Sequence, residues 1–327
     1  MKGQLIDVAV AGIRQLTPRI REYVLAAVDG APLPRPAPGA HVELHTVSPL
    51  SGPVVRHYSL VGGAGLEDDA PDRYRIAVQR EDRQRGSAHI HDTFAVGTRL
   101  KVSRPRNNFP LDLRDSRSLL IAGGIGITPI YSMLRSLVRR KRPFELIYTG
   151  RAAEQMAYAD DVARLAGASG RLHFSGETAA RHLDIRELLL RQSDDTTVYV
   201  CGPAAMIDAV HAAAGDLGWQ EGRVRSERFT AGPSPDDVPF EVELRRSGRT
   251  LGVGRDTSIL DALTVAGIEA LADCRRGECG LCPLPVLEGG ERIDHRDSYL
   301  SEEERAAGDT LCICVSRLRG GTLVLDA

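Results

Sequence analysis

Near the end of the chain, residues 273–282 read Asp-Cys-Arg-Arg-Gly-Glu-Cys-Gly-Leu-Cys. Cys274, Cys279 and Cys282 stand in a C-x4-C-x2-C run, and Leu311-Cys312-Ile313-Cys314 offers a fourth thiolate downstream. Three cysteines wound tightly with glycines, plus one distant partner, form the plant-type spacing for a [2Fe–2S] cluster. The rival is structural zinc, but four-thiolate zinc sites usually pair two short C-x-C knuckles, and this run does not. A centre of this kind carries one electron at a time. The rest of the chain must therefore supply the electrons.

The chain has 327 residues, too many for one ordinary core, so two or three domains are expected. Hydrophobic and charged contents of 42% and 26% place it among ordinary soluble globular proteins. The net charge is −2, with both signs interspersed. No basic field argues for nucleic acid, and no basic amphipathic face argues for a membrane surface. The longest apolar stretch, Leu119 to Leu134, is broken by Gly123, Gly124, Gly126 and Pro129, a poor transmembrane pattern. Met1 to Leu16 alternates polar and apolar residues without an apolar secretion core, so a cytoplasmic location is expected. Five of the six cysteines crowd into the last domain, which suits metal binding better than a disulfide framework.

Residues 1–113 read as an antiparallel barrel. Leu5 to Val10, Ile20 to Ala26, His41 to His45, Arg56 to Leu60, Tyr74 to Val78 and Arg99 to Val102 have strand character, and Gly/Pro turns separate them. Arg56-His57-Tyr58-Ser59 places a planar phosphate-binding fork, an aromatic plane and a short hydroxyl close together. Arg85-Gly86-Ser87 opens a helical stretch whose free N–H groups suit an anion. An ordinary strand and helix cap explain both features about as well. His89 and His91, two residues apart on a helix, point away from each other and make a poor metal pair.

Residues 114–230 alternate strands with helices, the pattern of an α/β parallel sheet with its ligand at the strand C-termini. Ser118 to Ala122 is a buried strand, and Gly123-Gly124-Ile125-Gly126-Ile127-Thr128-Pro129 turns it into a helix over Ile130 to Arg140. A dinucleotide pyrophosphate belongs at such a turn, although G-x-G-x-x-P departs from the usual glycine fingerprint. Thr149-Gly150-Arg151 follows the second strand where an acid would grip a ribose, leaving NADH against NADPH open. Cys201-Gly202-Pro203 ends a later strand. A buried cysteine there is either a small apolar filler or a rest for a nicotinamide ring.

Residues 231–238 have linker composition. Residues 239–327 read as a small α+β domain. It has a hairpin over Phe240 to Leu244 and Thr250 to Val253, a helix over Ser258 to Ala266, the cysteine loop, and strands over Leu284 to Leu287 and Thr322 to Leu325.

Together these elements resemble the phthalate dioxygenase reductase family, which includes the reductases of vanillate demethylase. The resemblance spans the whole chain. It rests on Arg56-His57-Tyr58-Ser59-Leu60, Arg85-Gly86-Ser87, Ala122 to Pro129, Cys201-Gly202-Pro203 and Glu227-Arg228-Phe229. It continues through the cluster cysteines, Asp294-His295-Arg296-Asp297 and Cys314-Val315-Ser316-Arg317. It implies three domains: an FMN barrel, an NAD-binding α/β domain and a plant-type β-grasp ferredoxin domain. FMN would lie against Arg56, His57, Tyr58, Ser59, Ala77, Val78, Gly86, Ser87 and Phe229, with Ser59 at the N5 edge. NADH would lie against Gly123, Gly124, Gly126, Ile127, Thr128, Pro129, Cys201, Gly202 and Pro203, with Cys201 beside the nicotinamide. Ser59 and Cys201 would be the catalytic pair. The family's fourth cluster ligand is the Cys of Cys-Val-Ser-Arg, so the set becomes Cys274, Cys279, Cys282 and Cys314, with Cys312 left as a packing residue. Two departures stand out. His57 replaces a small residue, and the stretch from Cys282 to Asp294 is longer and contains Gly289-Gly290.

NADH yields two electrons as hydride and a [2Fe–2S] centre accepts one, so a flavin is the necessary adaptor. The expected activity is that of an NADH-dependent reductase serving a separate Rieske-type oxygenase. A cytochrome P450 acceptor and a non-catalytic nucleotide sensor are the alternatives. Arg275 and Arg276, beside the cysteines, are expected to dock an acidic partner surface. Nothing in the residues requires more than a monomer.

Overall fold

The computed structural model describes residues 5–48, 52–63, 71–81, 86–176, 183–220, 222–229, 236–255, 257–272, 275–277, 279–297 and 299–327. The chain divides into two compact units, Met1–Arg228 and Phe229–Ala327.

Period-two patterning builds the first part of the first unit. The strands are β1 (Ile6–Thr17), β2 (Ile20–Ala27), β3 (His41–Ser48), β4 (Gly52–Gly63), β5 (Arg73–Gln79) and β6 (Arg99–Val102), with α1 (Gly86–Thr93) between the last two. They close into a barrel in the order β1-β2-β5-β4-β3-β6. Val8, Val10, Tyr23, Leu25, Val42, Leu44, Tyr74 and Ile76 fill its core. β1 and β4 run well past the stretches expected from alternation. The pairing of β1 with β2 shifts register between Val10 and Gly12 and again between Gln15 and Thr17. Such bulges break the alternation while the ladder continues.

The second part contains β7 (Arg117–Gly123), α2 (Ile127–Arg139), β8 (Phe144–Gly150), α3 (Ala159–Ala166) and β9 (Gly170–Phe174). It continues with α4 (Ile185–Leu190), β10 (Thr196–Cys201), α5 (Ala204–Asp216) and β11 (Val224–Glu227). The five strands pair in parallel in the order β11-β10-β7-β8-β9. Leu119, Leu120, Ile121 and Ala122 of β7 are fully buried, as a central strand covered on both faces requires. The strand order reverses at β7, so the crevice between the C-terminal ends of β7 and β10 is the topological switch point.

Polar contacts join the two parts of this unit. The Gly39 N–H donates to Ser132 Oγ of α2 at 2.9 Å. The Tyr158 hydroxyl donates to the buried Glu22 carboxylate of β2 at 2.9 Å, and Arg14 pairs with the same carboxylate at 3.2 Å.

The second unit comprises β12 (Phe240–Leu244), β13 (Arg249–Val253), α6 (Ile259–Val265), β14 (Pro283–Glu288) and β15 (Ile293–Asp294). α7 (Glu302–Ala307), β16 (Thr310–Cys312), β17 (Arg317–Leu318) and β18 (Thr322–Leu325) complete it. The main sheet runs β13-β12-β18-β14-β16, with β12 and β18 parallel at its centre. Ser258 caps α6 by accepting from the Asp261 N–H at 3.0 Å. Ile259, Leu260 and Leu263 of that helix pack with Val242, Leu244, Leu323 and Leu325 of the sheet. Among the described residues, no helix is long and apolar enough to cross a membrane.

Candidate cofactor sites

Three sites follow from these elements. The first is the crevice at the switch point. β7 ends at Gly123, a single 3-10 turn covers Gly124–Gly126, and α2 begins at Ile127, three residues earlier than the sequence pattern indicates. Pro129 lies in the first helical turn, where its missing N–H costs nothing. A Cβ on Gly126 would overlap the Cys201 carbonyl, and one on Gly202 would overlap Met206 and press on Gly123. The two strand ends therefore touch backbone to backbone. Gly124 is different, because it has φ +53° and open space where a side chain would stand. The Thr128 hydroxyl donates to the Ile125 carbonyl at 3.0 Å, and the Tyr148 hydroxyl donates to the Gly124 carbonyl at 3.2 Å, fixing the turn. Cys201 is fully buried at the end of β10, and Pro203 caps α5. All nine nucleotide residues expected from the sequence thus meet at one crevice.

The second site is on the barrel. β3 and β4 pair His41 with Ser59 and Glu43 with His57, so Ser59, His57 and His41 share one face. The His41 and His57 rings stack with centroids 5.2 Å apart. Ser59 is 5% exposed, and its buried hydroxyl has no hydrogen-bond partner. Arg56 and Tyr58 lie on the opposite face. Tyr58 packs against the barrel core, while Arg56 is exposed. Burial pushes the Tyr58 phenol up, Arg56 pulls it down, and Glu81 pushes it up again. The Glu81 N–H donates to Ser87 Oγ at 3.2 Å. Glu81, absent from the sequence reading, therefore links the Arg56–Ser59 strand to the start of α1, whose first turn carries no acid. Ala77 and Val78 are buried on β5, and His91 Nε2 donates to the Val78 carbonyl at 2.9 Å. Arg85 lies outside the described residues. Phe229 is half-buried and begins the second unit.

The third site is the cysteine loop. Cys274 lies outside the described residues. Cys282 and Cys314 are buried with their sulfurs 3.2 Å apart, and Cys279 is half-buried. Hydrogen bonds with Cys312 and Cys314 hold the Cys282 thiol down at about 3, against the upward push of burial. Arg275, Gly277 and Gly280 all have positive φ, at 52°, 73° and 68°. Left-handed residues alternating with others turn successive N–H groups inward, the concavity that anions and iron–sulfur centres favour. A Cβ on Gly277 would meet Val315 and Asp297, and one on Gly280 would run into the Tyr299 ring.

Buried ion pairs hold this irregular loop. Asp297 accepts from the Leu300 N–H at 2.9 Å and from the Ser316 hydroxyl at 3.1 Å. Asp237 pairs with Arg296 and, at 3.5 Å, with Arg317. Arg317 also donates to the Thr257 and Gly254 carbonyls, at 2.6 and 2.8 Å. Two expectations change here. Asp237, read as linker, is a buried anchor. Arg276 is 6% exposed, and Arg275 pairs with Asp261 at 2.7 Å, so the two arginines do not form an open docking patch.

A barrel, a parallel sheet with a glycine crevice at its switch point and a cysteine-bearing sheet define a pyridine-nucleotide-dependent iron–sulfur oxidoreductase. Residues 120–212 match the oxidoreductase NAD-binding domain, and residues 242–319 match the 2Fe-2S iron-sulfur cluster binding domain. The chain is 41% identical over 324 residues to the heme-dependent oxidative N-demethylase beta subunit of Ectopseudomonas mendocina, covering 98% of this chain and 99% of that one. It is 36% identical over 326 residues to the vanillate O-demethylase oxidoreductase of a Pseudomonas species, covering 98% and 100%. The solved structure of phthalate dioxygenase reductase superposes with a TM-score of 0.83 at 32% identity, covering 99% and 98%. The chain belongs to the phthalate dioxygenase reductase family.

Proposed function

We propose that this protein takes electrons from NADH through FMN and a [2Fe–2S] cluster to a separate terminal oxygenase of the Rieske type, in the cytoplasm. The observation that carries this reading is the backbone contact of Gly126 with Cys201 at the switch point, in a chain that also brings Cys282 and Cys314 together. Residues 1–113 are assigned to FMN, 114–230 to NADH and 239–327 to the cluster, with 231–238 between them.

The residues fit these groups. Gly124 leaves room for a pyrophosphate against the N-terminus of α2. Gly123, Gly126 and Gly202 let the chain approach closely, and Ile127, Thr128, Pro129 and Pro203 shape the rim. Cys201 offers a small apolar wall for a nicotinamide. The unsatisfied Ser59 hydroxyl is available to a flavin edge, and the acid-free start of α1 at Gly86 and Ser87, together with Arg56, suits a phosphate. Tyr58 and His57 would flank the ring system, Ala77 and Val78 would close its apolar side, and Phe229 would cover it. Cys279, Cys282 and Cys314 are placed as thiolate ligands, with Cys274 completing the set. When bound, FMN accepts a hydride and the cluster passes on single electrons. The chain's own tasks are to align the nicotinamide, exclude water and hydrogen-bond the cluster sulfurs. Leu281 and Tyr299, 50% and 51% exposed beside the loop, provide an apolar approach for the acceptor.

Pure protein should show flavin and iron–sulfur absorption, both bleached by NADH. Colourless, zinc-loaded protein would overturn the reading. The heme-dependent N-demethylase relative favours a second reading, with a heme oxygenase as acceptor. NADH-driven turnover with a Rieske oxygenase and with a heme oxygenase, assayed side by side, decides between them.

A further inference from the structure

Cys312 is the one cysteine of the second unit that the ligand set leaves out. It is fully buried at the end of β16, opposite Pro283 on β14, in the same core as Cys282 and Cys314. Its carbonyl accepts from the N–H groups of Val315 and Ser316 at 3.2 and 3.0 Å. That turn carries the chain from Cys312 round to Cys314 and brings the Cys314 sulfur to 3.2 Å from Cys282 Sγ. The Ile313 N–H reaches the Cys282 carbonyl at 3.4 Å. The Cys312 thiol itself hydrogen-bonds the Cys282 sulfur. A packing residue alone would not require sulfur there, because valine or alanine fills such a space.

We propose that Cys312 is a positioning residue for the cluster, whose S–H donates to the Cys282 sulfur and raises the cluster's reduction potential. A donor to a ligating sulfur stabilises the added negative charge of the reduced state, and hydrogen bonds to sulfur are among the main settings of iron–sulfur potentials. Full burial strengthens the bond, since no water competes for either sulfur. The proposal rests on Cys282 and Cys314 being cluster ligands.

The test uses the full-length, cluster-loaded protein and its Cys312→Val, Cys312→Ala and Cys312→Ser variants. Redox titration followed by electron paramagnetic resonance gives each midpoint potential. Val and Ala, which cannot donate, should lower the equilibrium constant for cluster reduction by several-fold to tenfold, and a tenfold change is 59 mV for a one-electron couple. Ser, which keeps a donor, should stay within about twofold of the parent by the same relation. Resonance Raman spectra should show the Fe–S(Cys) stretch moving in Val and Ala and much less in Ser. Equal shifts in all three variants would reduce Cys312 to packing and overturn the proposal. No shift in any of them would also overturn it. Loss of the cluster from all three would make Cys312 a ligand and overturn it too. A parent protein that carries zinc defeats the ligand assignment itself, before any variant is compared.

Discussion

The nucleotide crevice and the cysteine loop solve the same problem, holding a charged group against the chain, by opposite means. At the crevice, regular elements do the work. Two parallel strands end side by side, and Gly126 and Gly202 let the backbones touch. The only side-chain hydrogen bonds described at that turn are those of Thr128 and Tyr148. At the loop, regular structure has stopped. Positive-φ residues curl the chain, and buried carboxylates and guanidiniums from distant segments hold the curl in place. Topology supplies the first site, and a side-chain network supplies the second. The crevice should therefore be sensitive to added volume and the loop to removed charge.

The largest expected effect tests whether the two sites are separable at all. Cys279→Ser should abolish electron delivery to a one-electron protein acceptor while NADH still bleaches the flavin. Loss of both activities would break the comparison. Next comes the network. Asp237→Ala leaves Arg317 buried without its carboxylate and should cost about 3–5 kcal/mol. That cost should appear in the unfolding of the second unit, followed by loss of cluster absorbance, with NADH binding unchanged. Gly126→Val tests the crevice. Its added methyl groups would separate β7 from β10, and flavin reduction at fixed NADH should slow by roughly 10²-fold, as expected for a misplacement of about 1 Å. The cluster spectrum should stay the same. A Gly126→Val protein with normal reduction kinetics would show that the close contact is incidental.

The smallest effect separates the units by acid. Burial holds the His91 imidazole below its ordinary range, with Arg21 and Arg80 adding to the shift and the Val78 carbonyl and Asp92 opposing it. A histidine kept neutral in the native state contributes its full stability above its unfolded pKa of about 6.5, and loses it as pH falls towards the lower folded value. Thermal release of flavin should therefore shift to lower temperature below about pH 6.5. His91→Gln, which keeps a donor for Val78, should flatten that acid limb. An unchanged limb in the variant would assign the acid sensitivity to other groups.

The contrast also explains what could be read before the fold was known. The crevice was legible because its parts are periodic. A buried β7, a glycine turn and an amphipathic α2 announce themselves within about twenty residues, and strand order then places Cys201 opposite. The cysteine run was legible as a spacing, but its support was not. A Pro- and Asp-rich stretch signals a loop, and nothing in it shows that Asp237 turns inward to meet arginines 59 and 80 positions later. Arg276 misled for a related reason, because charged residues are usually at the surface. β11 was missed because four residues with Arg and Ser between Val and Glu carry little strand signal. α7 was missed although Ser301 and Glu304 spell a capping box, which the structure forms. Within the barrel, bulges hid the full lengths of β1 and β4.

The approach of Cys282 to Cys314 has a consequence for how the second unit is assembled. The two residues are 32 positions apart, and β15, α7 and β16 lie between them. Any inorganic bridge between their sulfurs ties that stretch into a closed ring. Closing a ring of this length removes about 3–4 kcal/mol of chain entropy from the unfolded state, on the model used for disulfides. Iron–sulfur loading would thus act as a staple as well as a conductor. A polypeptide that has not yet folded β16 against β14 cannot present both thiolates, so maturation of the centre has to wait for the C-terminal strands.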